Sequence, residues 1–320
     1  MCRALRLCYA GLGFPLGHGG ISVSRIGSAT YARRTSVGAA GRAALTVLVA
    51  GAALAAPAFA EAGQLACPAL PAGALSANAA PSADGQPAPV PLPDLAADLH
   101  ESGPVDILAI GSSSTEGIGA SGPAFTYPAQ LQANLRAAWQ RGDITVANAG
   151  IGGEIASRAV ERMDAALEDH AYALVVWQVG TNDVLRNVDE AAFRADVEHG
   201  LEAAEAAETD ILLFDPQFYQ KAKDQAHFQR FNAIVADVAR THHVPLFSRY
   251  AFMKAIGTSA PATLDAMLSR DGMHMSDFGY KCLADRLTDI IRTLTAPPQV
   301  ADARPAAPQQ LAATAAALPR

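Results

Sequence analysis

The sequence predicts an α/β fold in which helices cover both faces of a parallel sheet. Short apolar segments, each long enough for one buried strand, alternate with longer stretches of helical periodicity. The predicted strands are residues 107–110, 144–147, 174–177, 211–214 and 244–247. Strands that alternate with helices in this way favour parallel pairing, because two parallel neighbours need a long crossover connection between them.

The segments around these strands carry the spacing of amphipathic helices. Asp189 and Asp277 stand at two predicted helix starts, where an Asp side chain can accept hydrogen bonds from the first turn, so both are expected to be N-caps. Pro245 cannot donate to a neighbouring strand, so the last strand is predicted to lie at a sheet edge. The predicted helices are residues 127–139, 155–169, 189–207, 228–242 and 277–294.

Residues 1–60 have the composition of an export signal. They contain six arginines and no Asp or Glu, and they end in an apolar run followed by Ala58, Phe59 and Ala60. The run is short for a membrane span, and small residues at this spacing are those that signal peptidase prefers. We expect cleavage before Glu61 and a periplasmic or secreted protein.

The remaining chain divides into three parts by composition. Residues 61–97 and 296–320 are rich in Ala and Pro and show little periodicity, which predicts a poorly ordered linker and tail. Residues 98–295 are predicted to form one domain, because about 200 residues can bury a substantial core.

The charge balance argues against nucleic acid as a partner. The full sequence has 24 basic and 31 acidic residues, and without the six arginines of residues 1–60 the balance is 18 to 31, a net charge of −13. Such a surface repels phosphates and anionic lipid head groups. We expect no nucleic-acid partner and no stable membrane span after the signal is removed.

The two cysteines beyond the signal, Cys67 and Cys282, leave two arrangements open. No Cys or His pairing has the spacing of metal ligands, so no metal site is predicted. In an oxidising compartment the two cysteines either form one disulfide between the leader and the last helix, or Cys282 is buried and Cys67 is free.

Polar and glycine-rich segments follow the predicted strands at one end of the sheet. They are residues 111–117, 148–153, 180–183, 215–217 and 271–274, which follow strands one to five in that order. In an open parallel sheet, ligand sites lie beyond the carboxyl ends of the strands. All five segments are therefore expected on the same rim.

Asp271 and His274 are the strongest candidates for catalysis on this rim. The Asp lies three residues before the His in a turn-forming context, and no other histidine combines a rim position with such a carboxylate. An imidazole that is oriented by a carboxylate can remove the proton of a serine hydroxyl. The serine would be Ser112, Ser113 or Ser114, and the residues alone leave this choice open.

Two further segments offer hydrogen-bond donors to a developing oxyanion. Asn182 follows the third strand, and its amide is well placed for this role. The glycines that end at Gly153 allow a backbone N–H to point at a bound carbonyl. Taken alone, each of these two segments is also typical of an ordinary turn. The serines, taken alone, are also typical of a helix cap.

Together these segments resemble the blocks of the SGNH (GDSL-type) hydrolase family in their order along the chain. Residues 111–117 (GSSSTEG) resemble the first block, 148–153 the second, 180–183 (GTND) the third and 271–274 the fifth. The resemblance covers residues 105–295. It implies a flavodoxin-like three-layer α/β/α sandwich with a five-stranded parallel sheet.

The resemblance also implies a role for five residues. Ser113 would be the nucleophile, His274 its base and Asp271 the partner of that base. The N–H groups of Ser113 and Gly153, with the side-chain amide of Asn182, would form the oxyanion hole.

Two positions depart from the family pattern. Ser112 stands where an Asp usually precedes the nucleophile, so the support of this loop is expected to differ, and Ser112 and Ser114 remain alternative nucleophiles. Met275 follows the histidine where the family often has Pro, a change from which we expect little effect.

The function implied by the resemblance is that of an exported serine esterase that works through an acyl-enzyme without metal or organic cofactor. Its substrate would be a small-molecule, glycan or lipid ester. Short acyl or O-acetyl groups are favoured, because no long lid insertion interrupts the predicted domain. An acyltransferase with the same triad and a non-catalytic carbohydrate-binding protein of the cell envelope are the alternatives. The sequence gives no oligomeric state.

Overall fold

One sheet of five parallel strands forms the centre of the fold. A computed structural model describes residues 65–76 and 88–297. The strands within them are β1 Val105–Gly111, β2 Ile144–Gly150, β3 Leu174–Gln178, β4 Asp210–Phe214 and β5 Leu246–Phe247. Their order in the sheet is β2-β1-β3-β4-β5, and every neighbouring pair is parallel. The predicted fold class is confirmed, and β5 lies at an edge, as Pro245 indicates.

All five predicted helices are present. The α-helices in the described residues are α1 Pro93–His100, α2 Ser113–Glu116, α3 Tyr127–Trp139, α4 Ala156–Asp169, α5 Thr181–Leu185, α6 Glu190–Ala206, α7 Gln225–Thr241, α8 Arg249–Ser259, α9 Pro261–Met267 and α10 Asp277–Leu294. α3 and α10 have the predicted bounds, and α4, α6 and α7 begin and end within three residues of them. The predicted helices do not include α1, α8 and α9, or the short helices α2 and α5. None of the described helices is both long and apolar enough to cross a membrane.

Different helices cover the two faces of the sheet. Ile107 and Ala109 of β1 belong to one apolar core, while Leu108 and Ile110 belong to the other, because successive side chains of a strand point to opposite faces. The first core includes residues of α1, α3, α8, α9 and α10, and the second includes residues of α4, α6 and α7. The result is a three-layer α/β/α sandwich.

One of the two predicted N-caps is correct and the other is wrong. Asp189 caps α6, and its side chain accepts hydrogen bonds from the N–H groups of the first turn. For α10 the cap is Ser276, whose Oγ accepts from the N–H of Gly279 at 3.2 Å. Asp277 is the first helical residue, and its carboxylate instead accepts hydrogen bonds from the N–H and Oγ of Ser121 at 2.8 and 2.6 Å.

The folded core extends to the N-terminal side of residue 98, the predicted start of the domain. Ala74 and Leu95 are fully buried, and α1 begins at Pro93. Backbone hydrogen bonds from Ser76 to Leu246 and from Ser248 to Ala74 cover the free edge of β5. The predicted poor order is therefore wrong for 65–76 and 88–97, because a few apolar side chains in this Ala/Pro-rich stretch pack on the domain. Residues 1–60 and most of the tail lie outside the described residues.

A disulfide joins Cys67 to Cys282, with the two Cα atoms 5.0 Å apart. Of the two arrangements that the sequence leaves open, the bonded one is present. Cys282 is fully buried in α10, so the bond ties the leader to the core of the domain.

The strand order creates a crevice between the ends of β1 and β3. From β1 the chain crosses to β2 on one side of the sheet and then to β3 on the other. Such a switch point in an open α/β sheet leaves a crevice beyond the carboxyl ends of the two strands. The short helices α2 and α5 begin just beyond β1 and β3, at the two sides of this crevice.

Candidate active site

The three adjacent serines after β1 have different partners. Ser112 is buried, and its N–H and Oγ both donate to Oε1 of Gln178 at 3.0 Å. Ser114 is also buried, and its Oγ accepts a hydrogen bond from a buried arginine at 2.9 Å. Ser113 is only partly buried, and its Oγ lies 3.0 Å from Nε2 of His274. Of the three hydroxyls, that of Ser113 is therefore the one in contact with a candidate base.

Gln178 supports the turn that presents Ser113. The chain turns sharply from β1 into α2 at Gly111, where φ is +154° and an added Cβ would lie 2.6 Å from the carbonyl oxygen of Gln178. Only glycine fits this combination of backbone angle and close contact. Ser112 stands where the SGNH (GDSL-type) family usually has an Asp. The loop at this position is thus supported by the hydrogen bonds between Ser112 and the side-chain amide of Gln178.

The loop before α10 holds His274 through Asp271. Oδ2 of Asp271 lies 2.6 Å from Nδ1 of His274. Oδ1 accepts hydrogen bonds from the Ser269 hydroxyl and from the N–H groups of Met273 and His274, at 2.8, 2.8 and 2.9 Å. Burial acts to raise the pKa of Asp271, but these hydrogen bonds outweigh it and hold the pKa well below its usual range. The carboxylate therefore stays ionised and keeps Nε2 directed at Ser113.

A close backbone contact lies behind the histidine. Gly119 has φ +95°, and an added Cβ would lie 2.4 Å from the carbonyl oxygen of Met275 and 3.2 Å from Cβ of His274. The hydroxyl of Tyr280 donates a hydrogen bond at 2.7 Å to the carbonyl oxygen of Ile118, the residue before Gly119. The segment after α2 and the start of α10 are thereby packed against each other around His274.

The donors expected for an oxyanion hole lie on three neighbouring segments. Within the described residues, the N–H groups of Ser113 and Gly153 have no hydrogen-bond acceptor. An added Cβ at Gly152 would lie 4.0 Å from Cβ of Ser113, so the loop after β2 lies beside the serine. The side chain of Asn182 donates one amide hydrogen to the carbonyl of Glu154 at 2.9 Å. Its second amide hydrogen stays available for a substrate oxygen.

A cleft of about 460 Å³ opens beside α2. It is lined by residues of α2, of the segment between α2 and α3, of α3 and of the edge strand β2, and the lining residue Glu116 lies three residues after Ser113. Its walls are partly polar and partly apolar, so they can contact both hydroxyl groups and hydrocarbon. The lining includes Glu116, Pro123, Thr126, Gln132, Val146 and Asn148.

The described residues offer no metal site. Within 65–76 and 88–297, no group of three or more His, Cys, Asp or Glu side chains is arranged to hold a metal ion.

The sequence pattern does not identify three polar residues that contact the site. Gln178 ends an otherwise apolar strand, and that polar end is a signal that could have indicated it. Gln217 lies in the predicted rim segment 215–217 without an assigned role, and its side chain donates to the carbonyl of Met273 at 3.1 Å. Arg249 contacts Ser114, and it follows β5 in a helix that the pattern does not predict.

Comparisons with known proteins agree with this fold. The Non-GDSL lipase-like family matches residues 77–296, more than two thirds of the chain. No curated protein is significantly similar to the sequence. A protein assigned to the G-D-S-L lipolytic family from Desulfitobacterium hafniense DCB-2 is 21% identical, with a TM-score of 0.50 over 58% of this chain and 99% of its own.

Two further solved structures have the same fold. A lipase/acylhydrolase from Enterococcus faecalis is 22% identical, with a TM-score of 0.51 over 59% of this chain and 95% of its own. A two-domain esterase active on acetylated mannans is 20% identical, with a TM-score of 0.52 over 65% of this chain and 53% of its own, so this chain spans about half of that protein. The solved structures show the shared fold, and the family match shows that the chain belongs to the Non-GDSL lipase-like family.

Proposed function

We propose that the protein is an exported serine esterase that hydrolyses short acyl or O-acetyl esters through an acyl-enzyme. The observation that carries this proposal is the unbroken set of contacts from Asp271 through His274 to Ser113, at 2.6 and 3.0 Å. A carboxylate, an imidazole and a hydroxyl in this order activate the hydroxyl for attack on an acyl carbon.

The first half of the reaction forms the acyl-enzyme. His274 takes the proton of the Ser113 hydroxyl as Oγ attacks the ester carbonyl, and the carbonyl oxygen becomes an oxyanion. The tetrahedral intermediate then collapses, the bond to the alcohol breaks, and His274 gives its proton to the leaving alcohol. Asp271 stabilises the charged imidazole throughout and keeps it oriented.

The second half releases the acid. A water molecule loses a proton to His274 and attacks the acyl carbon, and the second tetrahedral intermediate collapses with return of the proton to Ser113. In both halves the oxyanion would be bound by the N–H groups of Ser113 and Gly153 and by the free amide hydrogen of Asn182. Loss of one such donor reduces the rate by roughly 10²–10³-fold in a serine protease.

The mixed walls of the cleft support an ester whose alcohol part carries hydroxyl groups. Gln132 accepts the N–H of Val146 through its Oε1 at 2.9 Å, which leaves its two amide hydrogens as donors. One protein of similar fold is active on acetylated mannans. We therefore favour O-acetylated carbohydrate as the natural substrate class.

The disulfide between Cys67 and Cys282 supports export. Disulfides persist in the periplasm and outside the cell and are rare in the reducing cytosol. The basic and apolar composition of residues 1–60 agrees with this location.

The proposal is tested by turnover of p-nitrophenyl acetate, butyrate and octanoate by the purified protein. We expect turnover that decreases with acyl length and that Ser113→Ala abolishes. Ser112→Ala and Ser114→Ala serve as matched variants and should keep rates well above those of Ser113→Ala. Equal rates for Ser113→Ala and the wild type would contradict the proposed nucleophile.

Product analysis separates hydrolysis from acyl transfer, which would use the same residues. When an acetate ester is supplied with an excess of free oligosaccharide, hydrolysis releases one acetate for each ester consumed. An acetylated oligosaccharide in place of free acetate would instead indicate a transferase.

A further inference from the structure

Arg249 is a fully buried arginine beneath the candidate active site. It is the first residue of α8, its side chain is 0% exposed, and its guanidinium lies over the ring of Phe214, 4.7 Å from the centroid. Burial of a charged group is costly unless hydrogen bonds and an opposite charge compensate for it. The partners of this guanidinium therefore indicate what the side chain does.

The two ends of the guanidinium contact two different helices of the site. Nη1 donates to Oγ of Ser114 at 2.9 Å, and Nη2 donates to Oγ1 of Thr181 at 3.2 Å. Ser114 directly follows Ser113 in α2, and Thr181 directly precedes Asn182 in α5. One rigid planar group thus connects the neighbour of the proposed nucleophile with the neighbour of the proposed oxyanion donor.

The same set of buried hydrogen bonds continues to the histidine loop. Oγ1 of Thr181 also accepts the N–H of Gln217 at 3.3 Å. The side chain of Gln217 donates to the carbonyl oxygen of Met273, the residue before His274, at 3.1 Å. Gln217 is 2% exposed, so water does not compete for these contacts.

Asp215 is a buried carboxyl group that acts electrostatically on Arg249, and burial raises its own pKa to about 7. Its carboxylate accepts hydrogen bonds from the Ser248 hydroxyl at 2.6 Å and from the N–H of Tyr250 at 2.9 Å. Burial lowers the pKa of Arg249 to about 10, and the charge of Asp215 opposes that shift. The guanidinium is therefore still protonated at neutral pH, although its Nε has no acceptor among the described residues.

We propose that Arg249 is a positioning residue that sets the distance between Ser113 and Asn182. Together with Thr181 and Gln217, it holds the three catalytic segments in one arrangement. The proposal rests on the proposed esterase function, because only catalysis requires this alignment. The burial of Arg249 alone would be weak evidence for a role, since apolar residues of equal volume often replace buried charged groups without loss of stability.

Thr181→Val is the most direct test, because it removes the hydroxyl that Arg249 and Gln217 share and changes the volume little. A displacement of reacting groups by about 1 Å can cost about 10²-fold in rate. We expect kcat for p-nitrophenyl acetate to fall by about 10–100-fold with little change in KM. Ser114→Ala and Arg249→Lys should each lower kcat in the same way, and Ser114→Ala keeps the test open should Arg249→Lys not fold.

Thr288→Val is the matched control. Thr288 is also a buried threonine, on α10, and its hydroxyl donates only to the carbonyl of Ala284. We expect this variant to keep the wild-type kcat even where its melting temperature falls as much as that of Thr181→Val.

A double-mutant cycle separates positioning from general weakening of the fold. If Thr181 acts through Asn182, Thr181→Val costs less in an Asn182→Ala background than in the wild type. The rate of Ser113 labelling by a fluorophosphonate provides a second readout and should fall in parallel with kcat.

The outcomes distinguish this proposal from the esterase proposal. An active wild type with unchanged kcat and labelling rate in Thr181→Val and Ser114→Ala would overturn the positioning role alone. Equal losses of kcat in Thr181→Val and Thr288→Val would overturn it too. A wild type that neither hydrolyses esters nor is labelled on Ser113 would contradict both proposals.

Discussion

Nε2 of His274 lies 3.0 Å from Oγ of Ser113, although 161 residues separate the two in the sequence. The contact depends on the parallel sheet, whose strands all end at one rim and whose β1 end lies at the switch point. Each residue is held on its own side, Ser113 by the turn at Gly111 and His274 by the hydrogen bonds of Asp271. Substitutions that displace Ser113 or His274 slightly should therefore lower kcat even where they change the stability of the fold little.

Asp271→Asn should lower kcat by roughly 10³–10⁴-fold, because the imidazole loses the charge that orients it and stabilises its protonated form. The matched control is Asp277→Asn, which alters a nearby carboxylate that contacts Ser121 and not His274. Steady-state kinetics of both variants, with melting temperatures, provide the measurement. A rate for Asp271→Asn within ten-fold of the wild type, or equal losses in both variants, would contradict the assigned role.

Asn182→Ala should lower kcat by about 10²–10³-fold with a smaller effect on KM, because its amide would bind the oxyanion more strongly than the ground-state carbonyl. Asn134→Ala is a suitable control, since its amide contacts Asp285 on α10, away from the serine. Unchanged kcat in Asn182→Ala would exclude this side chain from the oxyanion hole.

The sequence predicts those parts of the site that carry a local signal. The serines, the amide and the Asp–His pair follow strand ends, and each lies in a short segment of recognisable composition. The choice among three serines depends on tertiary contacts, because only the fold brings Gln178 to Ser112 and Arg249 to Ser114. No local pattern around a single residue contains that information.

The errors in the predicted elements have local physical causes. Asp277 resembles an N-cap, but the neighbouring Ser276 caps the helix and leaves the Asp to bind Ser121. The stretch before residue 98 is Ala/Pro-rich, so its composition predicts poor order. In its described parts, residues 65–76 and 88–97, a few apolar side chains such as Leu95 nevertheless pack on the core.

Stability should depend on pH through Asp183. Burial raises the pKa of this carboxyl from 3.8 to about 6, and the hydrogen bond from Ala156 only partly opposes the shift. The folded state then binds the proton more tightly than the unfolded state, so the wild type loses stability as pH rises from about 4 to about 6. Asp183→Asn removes this loss.

The advantage of Asp183→Asn should therefore grow across this pH range and stay constant above it. At about 1.4 kcal/mol per pKa unit, its upper limit is about 3 kcal/mol. Urea denaturation at pH 4.5 and pH 7.5 measures the difference in unfolding free energy. Identical pH dependence of the wild type and the variant would show that Asp183 titrates normally in the folded protein.

Loss of the disulfide should lower stability by about 3–5 kcal/mol, because the bond closes a very long loop in the unfolded chain. Cys67 and Cys282 are 215 residues apart, and the bond holds the segment that covers β5. We expect Cys67→Ser to melt at a lower temperature than the wild type and to be insensitive to reductant. A wild-type melting temperature that reductant leaves unchanged would contradict a stabilising role.

The proposed mechanism requires Ser113 to be the nucleophile that His274 activates. Reaction of the wild type with a fluorophosphonate, followed by peptide mass analysis, tests it most directly. We expect one adduct per chain, on Ser113, and little adduct in a His274→Ala variant. An adduct on Ser112 or Ser114, or equal labelling of the wild type and His274→Ala, would contradict it.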